Sequence, residues 1–198
     1  MSKSLQIFAH GANHLEDVEH FGKNDPYAQF TFDLSDKKSF HKTAVKKNAG
    51  KNVEWNQEII IEYDPNRNHT LYVEVLDDET TADKPIGFAD IPLRQVIDAP
   101  GQSFKGRFDL YTGDAKAKGT ISLTLSILNP GQAAHVATSG PELKGFSQLD
   151  GEHQSRFKSL KNKEKASDLA VAAGIGAAIL GAKKLHDEHK KDKGAHEQ

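Results

Sequence analysis

Cysteine is absent from all 198 residues, which excludes disulfides, thiolate metal sites and a cysteine nucleophile, and fits a reducing compartment. Long apolar runs are missing too. No stretch reaches the eighteen or so residues of a membrane-spanning helix. The first residues, Met1-Ser2-Lys3-Ser4-Leu5-Gln6, have no apolar run after their lysine, so no secretory signal is expected. An excess of either charge is lacking: 26 basic residues face 28 acidic ones, for a net charge of -2, which speaks against nucleic acid as a partner. The usual enzyme signatures do not occur either. There is no Gly-rich phosphate loop ending in Lys-Ser or Lys-Thr, no Gly-x-Ser-x-Gly elbow and no His-Glu-x-x-His, so a non-catalytic protein is expected.

Alternation with period two is abundant in the first 128 residues. Leu5-Ile7-Ala9, Ala28-Phe30-Phe32-Leu34, Thr43-Val45, Ile59-Ile61-Tyr63, Leu71-Val73-Val75 and Ile121-Leu123-Leu125-Ile127 each alternate with other residues, as half-buried antiparallel strands do. Turn formers separate them, among them Gly22-Lys23-Asn24-Asp25-Pro26, Asp64-Pro65-Asn66 and Ala99-Pro100-Gly101. Eight strands are predicted, near 5–11, 27–34, 39–47, 57–63, 70–77, 86–93, 105–111 and 119–128. That is the pattern of an all-β, eight-stranded antiparallel sandwich spanning residues 1–128. Residues 129–150 are rich in Ala, Gly, Ser and Pro without periodicity and read as a linker. From about Gly151 the pattern turns helical, and residues 151–198 read as a helical or partly disordered basic tail.

Charge is separated locally. Lys37, Lys38, Lys42, Lys46, Lys47 and Lys51 fall in a stretch without an acid, whereas Asp77, Asp78, Glu79 and Asp83 cluster without a base until Lys84. Local fields of this kind steer association more than net charge does.

Six segments, in order, carry a resemblance. Leu15-Glu16-Asp17-Val18-Glu19-His20-Phe21-Gly22-Lys23-Asn24-Asp25-Pro26-Tyr27 is similar to the first loop of C2 domains. Lys42-Thr43-Ala44-Val45 followed by Glu54-Trp55-Asn56-Gln57-Glu58 is similar to that family's Lys-Thr and Trp-Asn-Glu segments. Leu71-Tyr72-Val73-Glu74-Val75-Leu76-Asp77-Asp78-Glu79 resembles the strand entering its third loop, Ile86-Gly87-Phe88-Ala89-Asp90-Ile91-Pro92-Leu93 the strand leaving it, and Gly119-Thr120-Ile121-Ser122-Leu123-Thr124-Leu125 the closing strand. The resemblance covers residues 5–128 and favours the circularly permuted, type II strand order.

The resemblance implies a calcium site in the first and third loops, because a hard dication is held by several carboxylates gathered at one end of the sandwich. Asp25 and Asp77 match ligand positions. Glu19 and Glu79 stand where Asp is usual. Lys84 stands where the last acid belongs, with Asp83 beside it. The candidate ligands are therefore Glu19, Asp25, Asp77, Glu79 and Asp83. Two lengthened side chains and a lysine weaken a pre-shaped site, so calcium is expected as one weakly held ion, with calcium dependence weak or absent.

The resemblance also implies an anionic lipid surface. Lys37, Lys38, Lys42, Lys46 and Lys47 are candidates for phospholipid or phosphoinositide headgroups, and Phe21 for the headgroup layer. An anionic leaflet attracts each nearby lysine by about 1 kcal/mol. The bland alternative is an edge strand protected by its lysines. In the tail, residues 169–182 carry no charge. As a helix at ~1.5 Å per residue they extend about 21 Å, short of a bilayer core of ~30 Å. Gly174, Ala178 and Ala182 recur at the four-residue spacing of close helix packing, which suits a homodimer contact or a second, weak membrane attachment. The leading expectation is a cytoplasmic protein, peripheral on membranes. The alternative is a calcium-independent protein-interaction adaptor with a self-associating C-terminal helix.

Overall fold

A computed structural model describes residues 3–19, 22–133, 140–167 and 169. The chain forms strands β1 (Lys3–Asn13), β2 (Pro26–Thr31), β3 (His41–Lys42), β4 (Val53–Tyr63), β5 (Thr70–Asp77) and β6 (Lys84–Pro92). The short helix α1 (Arg94–Ile97) follows, then β7 (Ser103–Tyr111), β8 (Ala117–Leu128) and β9 (Leu143–Lys144). Residues 151–167 form a second helix, α2.

The strands lie in the order β3-β2-β5-β6-β7-β8-β1-β4, and neighbours along this path are antiparallel. The β6–β7 step consists of one matched pair, Phe88 and Tyr111. The path therefore folds at that point into two four-stranded layers, β3-β2-β5-β6 and β7-β8-β1-β4. This is the antiparallel sandwich that the alternating pattern predicts, with the C2-like architecture that the resemblance implies.

Alternation does the building. Along β4, Val53, Trp55, Ile59, Ile61 and Tyr63 are buried while Glu54, Asn56, Glu58, Ile60 and Glu62 are exposed. These residues meet Leu5, Ile7 and Ala9 of β1, Ile121, Leu123 and Leu125 of β8, and Phe30, Val73, Val75 and Ile91 of the opposite layer in one core. A bulge between Ala9 and Gly11 shifts the β1–β4 register, and Asn56 opposite takes φ +50°. Gly11 is required there, because a Cβ would fall 2.2 Å from the Val53 carbonyl oxygen.

Three regions differ in detail from expectation. The strand expected over 39–47 shortens to His41–Lys42. Asp36 caps a 3-10 turn at Lys37–Ser39 by accepting the Lys38 N–H, and the Thr43 hydroxyl accepts the Ala28 N–H at 2.9 Å. Side-chain oxygens thus replace ladder rungs, and the edge continues as irregular chain. Within 129–150, expected as a linker, residues 143–150 run across the sandwich. β9 lies parallel to β7, the Gly145 N–H reaches the Arg107 carbonyl at 2.8 Å, and the Gln148 N–H reaches the Asp90 carbonyl at 2.9 Å.

Finally, α2 packs on the outer face of β5 and β6. Asp150 caps it, its carboxylate accepting the Glu152 N–H at 2.7 Å and the His153 N–H at 3.3 Å. His153 and Phe157 project from one face and are buried, with Leu160 partly buried behind them. This cover explains why β5 and β6 are buried on both faces. Among the described residues no helix is long and apolar enough to cross a membrane.

Candidate functional site: an acidic loop cluster beside a basic strand edge

The loop entering β2 is held by Asn24, which is fully buried. Its side chain donates to the Glu16 carbonyl at 2.8 Å and accepts the Val18 N–H at 3.2 Å. The Asp25 N–H then donates to the Asp77 carboxylate at 2.5 Å, and the Asp78 N–H to the Asp25 carbonyl at 3.2 Å. The ends of β2 and β5 are thereby locked together, and the acidic loops face each other.

Glu19, Asp77 and Glu79 each place a carboxylate oxygen within 4.8 Å of the others. Lys84 completes the group. It is the register partner of Asp77 at the start of β6, and its ammonium lies 2.7 Å from Glu19 and 2.5 Å from Glu79. Lys84 is buried, yet Glu19 and Glu79 hold its pKa above the ordinary lysine value against the cost of burial. The carboxyls respond in opposite directions. The hydrogen bond with Glu79, and then the one with Lys84, hold Glu19 down at about 2. Burial, and then Glu19, push Asp77 up to about 7. Glu79 is raised as well, by Glu19 first. The Asp77 Oδ2 atom is buried and finds no hydrogen-bond partner among the described residues.

The other two candidate ligands are spent elsewhere. Asp25 accepts the Asn48 N–H at 2.6 Å and pairs with Lys47 at 3.0 Å. It lines the same cleft of about 200 Å³ as Glu19, Asp77 and Glu79 but stands apart from their close cluster. Asp83 accepts the Tyr27 hydroxyl at 2.6 Å and the Glu79 N–H at 3.2 Å, closing the turn. As arranged, the residues do not fit a divalent cation: an ion placed on Glu19 and Glu79 would have to displace the Lys84 ammonium.

The basic candidates divide in the same way. Lys37, Lys38, Lys42 and Lys46 are exposed, and the Lys42 ammonium sits 4.9 Å from the centre of the Tyr27 ring. Lys47 is neutralised between Asp25 at 3.0 Å and Asp78 at 2.7 Å. Phe21 lies outside the described residues, as does nearly all of 169–182.

Sequence reasoning missed the groups that α2 brings. Glu74 and Asp90 point outward from β5 and β6, yet both are fully buried, with His153 between them. His153 Nδ1 bonds Asp90, and Nε2 faces Glu74 at 3.3 Å, out of line for a hydrogen bond but within ion-pair range. Arg156 donates to Glu74 at 2.8 Å through Nε, and Gln29 donates to the other oxygen at 2.5 Å. Burial alone would strip His153 of its proton, but Asp90 and Glu74 raise its pKa. Burial likewise disfavours the Glu74 carboxylate, yet His153 and Arg156 hold its pKa below the ordinary value. A helix-spaced His and Arg opposite strand-borne acids was the available signal.

Comparison with known proteins agrees with this architecture. The C2 domain model matches residues 3–110. An Arabidopsis thaliana protein, SRC2 homolog, is 28% identical over 155 residues, covering 75% of this chain and 47% of its own. Tricalbin-1 of Saccharomyces cerevisiae is 33% identical over 96 residues, 48% of this chain and 8% of that one. The chain thus spans less than half the length of these curated relatives. Among solved structures, a C2 domain of plant Extended Synaptotagmin 1 superposes with a TM-score of 0.54 at 21% identity, covering 63% of this chain and 93% of that one. A C2 domain-containing protein from a putative elicitor-responsive gene gives 0.52 at 27% identity, covering 68% and 94%. With the family model matching more than half of its length, and with the two-layered strand order above, the chain belongs to the C2 domain family.

Proposed function

We propose that this chain is a non-catalytic module that attaches peripherally to anionic phospholipid and does not require calcium to do so. The observation that carries the second half is the Lys84 ammonium, 2.7 Å from Glu19 and 2.5 Å from Glu79. The acidic loops contain their own cation, so docking does not wait for an external one. The lipid contact is assigned to Lys37, Lys38, Lys42 and Lys46, all exposed on or beside one sheet edge. Four such lysines supply about 4 kcal/mol at an anionic surface, enough for reversible attachment that a second contact can strengthen.

The test is co-sedimentation of the full chain with phosphatidylcholine vesicles, against vesicles carrying phosphatidylserine and phosphoinositide, each with calcium or with chelator. Equal sedimentation with anionic vesicles in calcium and in chelator is expected. Binding that needs calcium would overturn the role given to Lys84. No binding in any arm would overturn the membrane reading.

A protein-interaction adaptor is the second reading. The observation favouring it is the exposure of Leu143 and Phe146 beside β7.

A further inference from the structure

We infer that the free edge of β4 is a docking strand for an extended basic peptide, which adds to the sheet with an apolar residue beside Ile60 and a lysine or arginine beside each of Glu58 and Glu62. The inference is separate from the lipid reading, whose lysines lie on or beside the β3 edge of the other layer. The fold manages its other sheet edges, as soluble proteins must. β6 and β7 meet at Phe88 and Tyr111, and the chain around β9 covers both: β9 pairs with β7, and the Gln148 N–H reaches the Asp90 carbonyl. β3 ends after two residues, both exposed and polar. β4 has none of these protections. It is 11 residues long and holds neither proline nor lysine. From Gln57 to Tyr63 it pairs with β1 in unbroken register. Among the described residues no main-chain hydrogen bond reaches β4 except those of its ladder with β1. The chain after β3 approaches as far as Gln57, whose side chain accepts the Ala44 N–H at 2.7 Å. Beyond it, every second residue of Glu58–Glu62 turns its N–H and carbonyl to the open side.

Side chains along this edge select the occupant. Ile60 is 46% exposed, the one large apolar side chain exposed along β1 to β8 among the described residues. Glu58 and Glu62 flank it on the same face, each two residues away. Gln6 of β1 sets Glu58 by donating to it at 2.6 Å. Among the described residues no basic side chain forms an ion pair with Glu58 or Glu62. The register that joins Ile60 to Ile60 of a second copy sets Glu58 against Glu62 twice, and like charges directly opposite are destabilising. The same charges attract a strand that reads basic, apolar, basic at every second residue. Ile59, Ile60 and Ile61 are β-branched and hold this stretch extended, so the docking strand is ordered before the peptide arrives.

The probe is a fluorescein-labelled peptide, Ser-Thr-Lys-Val-Ile-Val-Lys-Thr-Ser, titrated with the full chain and followed by anisotropy. Saturable binding is expected, and the same peptide with glutamate for both lysines should bind roughly tenfold more weakly. Glu62→Lys should weaken the lysine peptide about fivefold, and Ile60→Thr about threefold, both with Tm nearly unchanged because the two side chains are exposed. N-methylation of one set of alternate peptide amides should abolish binding, and of the other set should leave it within about twofold, which is the signature of strand pairing rather than of charge alone. No binding of the lysine peptide, binding indifferent to Glu62→Lys and Ile60→Thr, or absence of that alternation would overturn the inference. A concentration-dependent dimer in sedimentation equilibrium that Ile60→Thr dissolves would overturn it too, and would give the edge to a second copy. Ile60→Thr should leave co-sedimentation with anionic vesicles within about twofold of wild type, so the peptide edge and the lipid reading fail separately.

Discussion

The Lys84 ammonium and the Glu19 carboxylate are 65 residues apart in the chain and 2.7 Å apart in space, both largely withdrawn from water. Their contact joins the loop before β2 to the start of β6 across the end of the sandwich. A family that gathers acids at this end has here received an internal cation.

Replacing Lys84 by Gln should open the acidic cluster to a metal. The variant is expected to bind calcium with a Kd on the order of 10⁻⁴ to 10⁻³ M, the range of a weak site short of ligands. The wild type should show no heat in the same titration. Without calcium the variant should lose about 2–3 kcal/mol of stability at pH 7, because the Glu19 and Glu79 carboxylates then lack a counter-charge. Millimolar calcium should restore part of its Tm.

Asp77 sets a second expectation, in pH. Its folded pKa of about 7 lies above the ordinary value of 3.8. The folded protein therefore holds a proton that the unfolded chain releases. The resulting stabilisation is fully present below about pH 4 and is lost as pH rises to about 7. Asp77→Asn keeps an oxygen for the Asp25 N–H and removes the titration. Its Tm should exceed that of the wild type at pH 8, and the advantage should vanish at pH 4. A constant difference across that range would contradict the assignment.

His153 behaves in the same sense at higher pH. Its pKa is raised above 6.5 by Asp90 and Glu74. Its contribution is complete below about 6.5 and falls as pH climbs through the raised value. Amide exchange across residues 151–167 should therefore accelerate at alkaline pH beyond the intrinsic base catalysis. The charged groups facing His153 are Glu74 and Asp90, and Arg156 of the same helix pairs with Glu74. Tyr72 meets its ring edge-on at 5.4 Å. His153→Ala should cost about 3 kcal/mol at pH 6, since it leaves Asp90 buried without a counter-charge and Glu74 with Arg156 alone.

For the basic edge, Lys42→Glu with Lys46→Glu should abolish sedimentation with anionic vesicles. Lys47→Ala should leave both sedimentation and Tm nearly unchanged. Lys47 is committed to Asp25 and Asp78 rather than to lipid, and pairs so exposed to solvent contribute little to stability.

The core was legible because burial and alternation coincide. β4 reads inward and outward residue by residue, and Trp55, Ile59 and Ile61 fall where period two puts them. The acidic loops were legible as a neighbourhood but not as a geometry. Asp25 and Asp83 have the right chemistry, yet the Asn48 and Glu79 amides and the Tyr27 hydroxyl capture them. Lys84 stood out as a base in an acid's place, but only the β5–β6 register turns it inward. Least legible was the outer face of β5 and β6. Glu74 and Asp90 alternate as solvent-facing residues do, and nothing local reveals that a helix more than sixty residues later covers them.

The single Phe88–Tyr111 pair joining the two layers has a mechanical consequence. Residues 143–150 touch both sides of that seam, Arg107 of β7 and Asp90 of β6, and the Asp150 N–H adds a bond to the Asp90 carboxylate at 2.6 Å. They act as a clasp over a hinge. A load drawn between the sandwich and α2 meets these few bonds before it meets the strand ladders. Force applied through α2 would therefore fall first on this clasp and on the buried His153 and Arg156 contacts, with the strand ladders behind them.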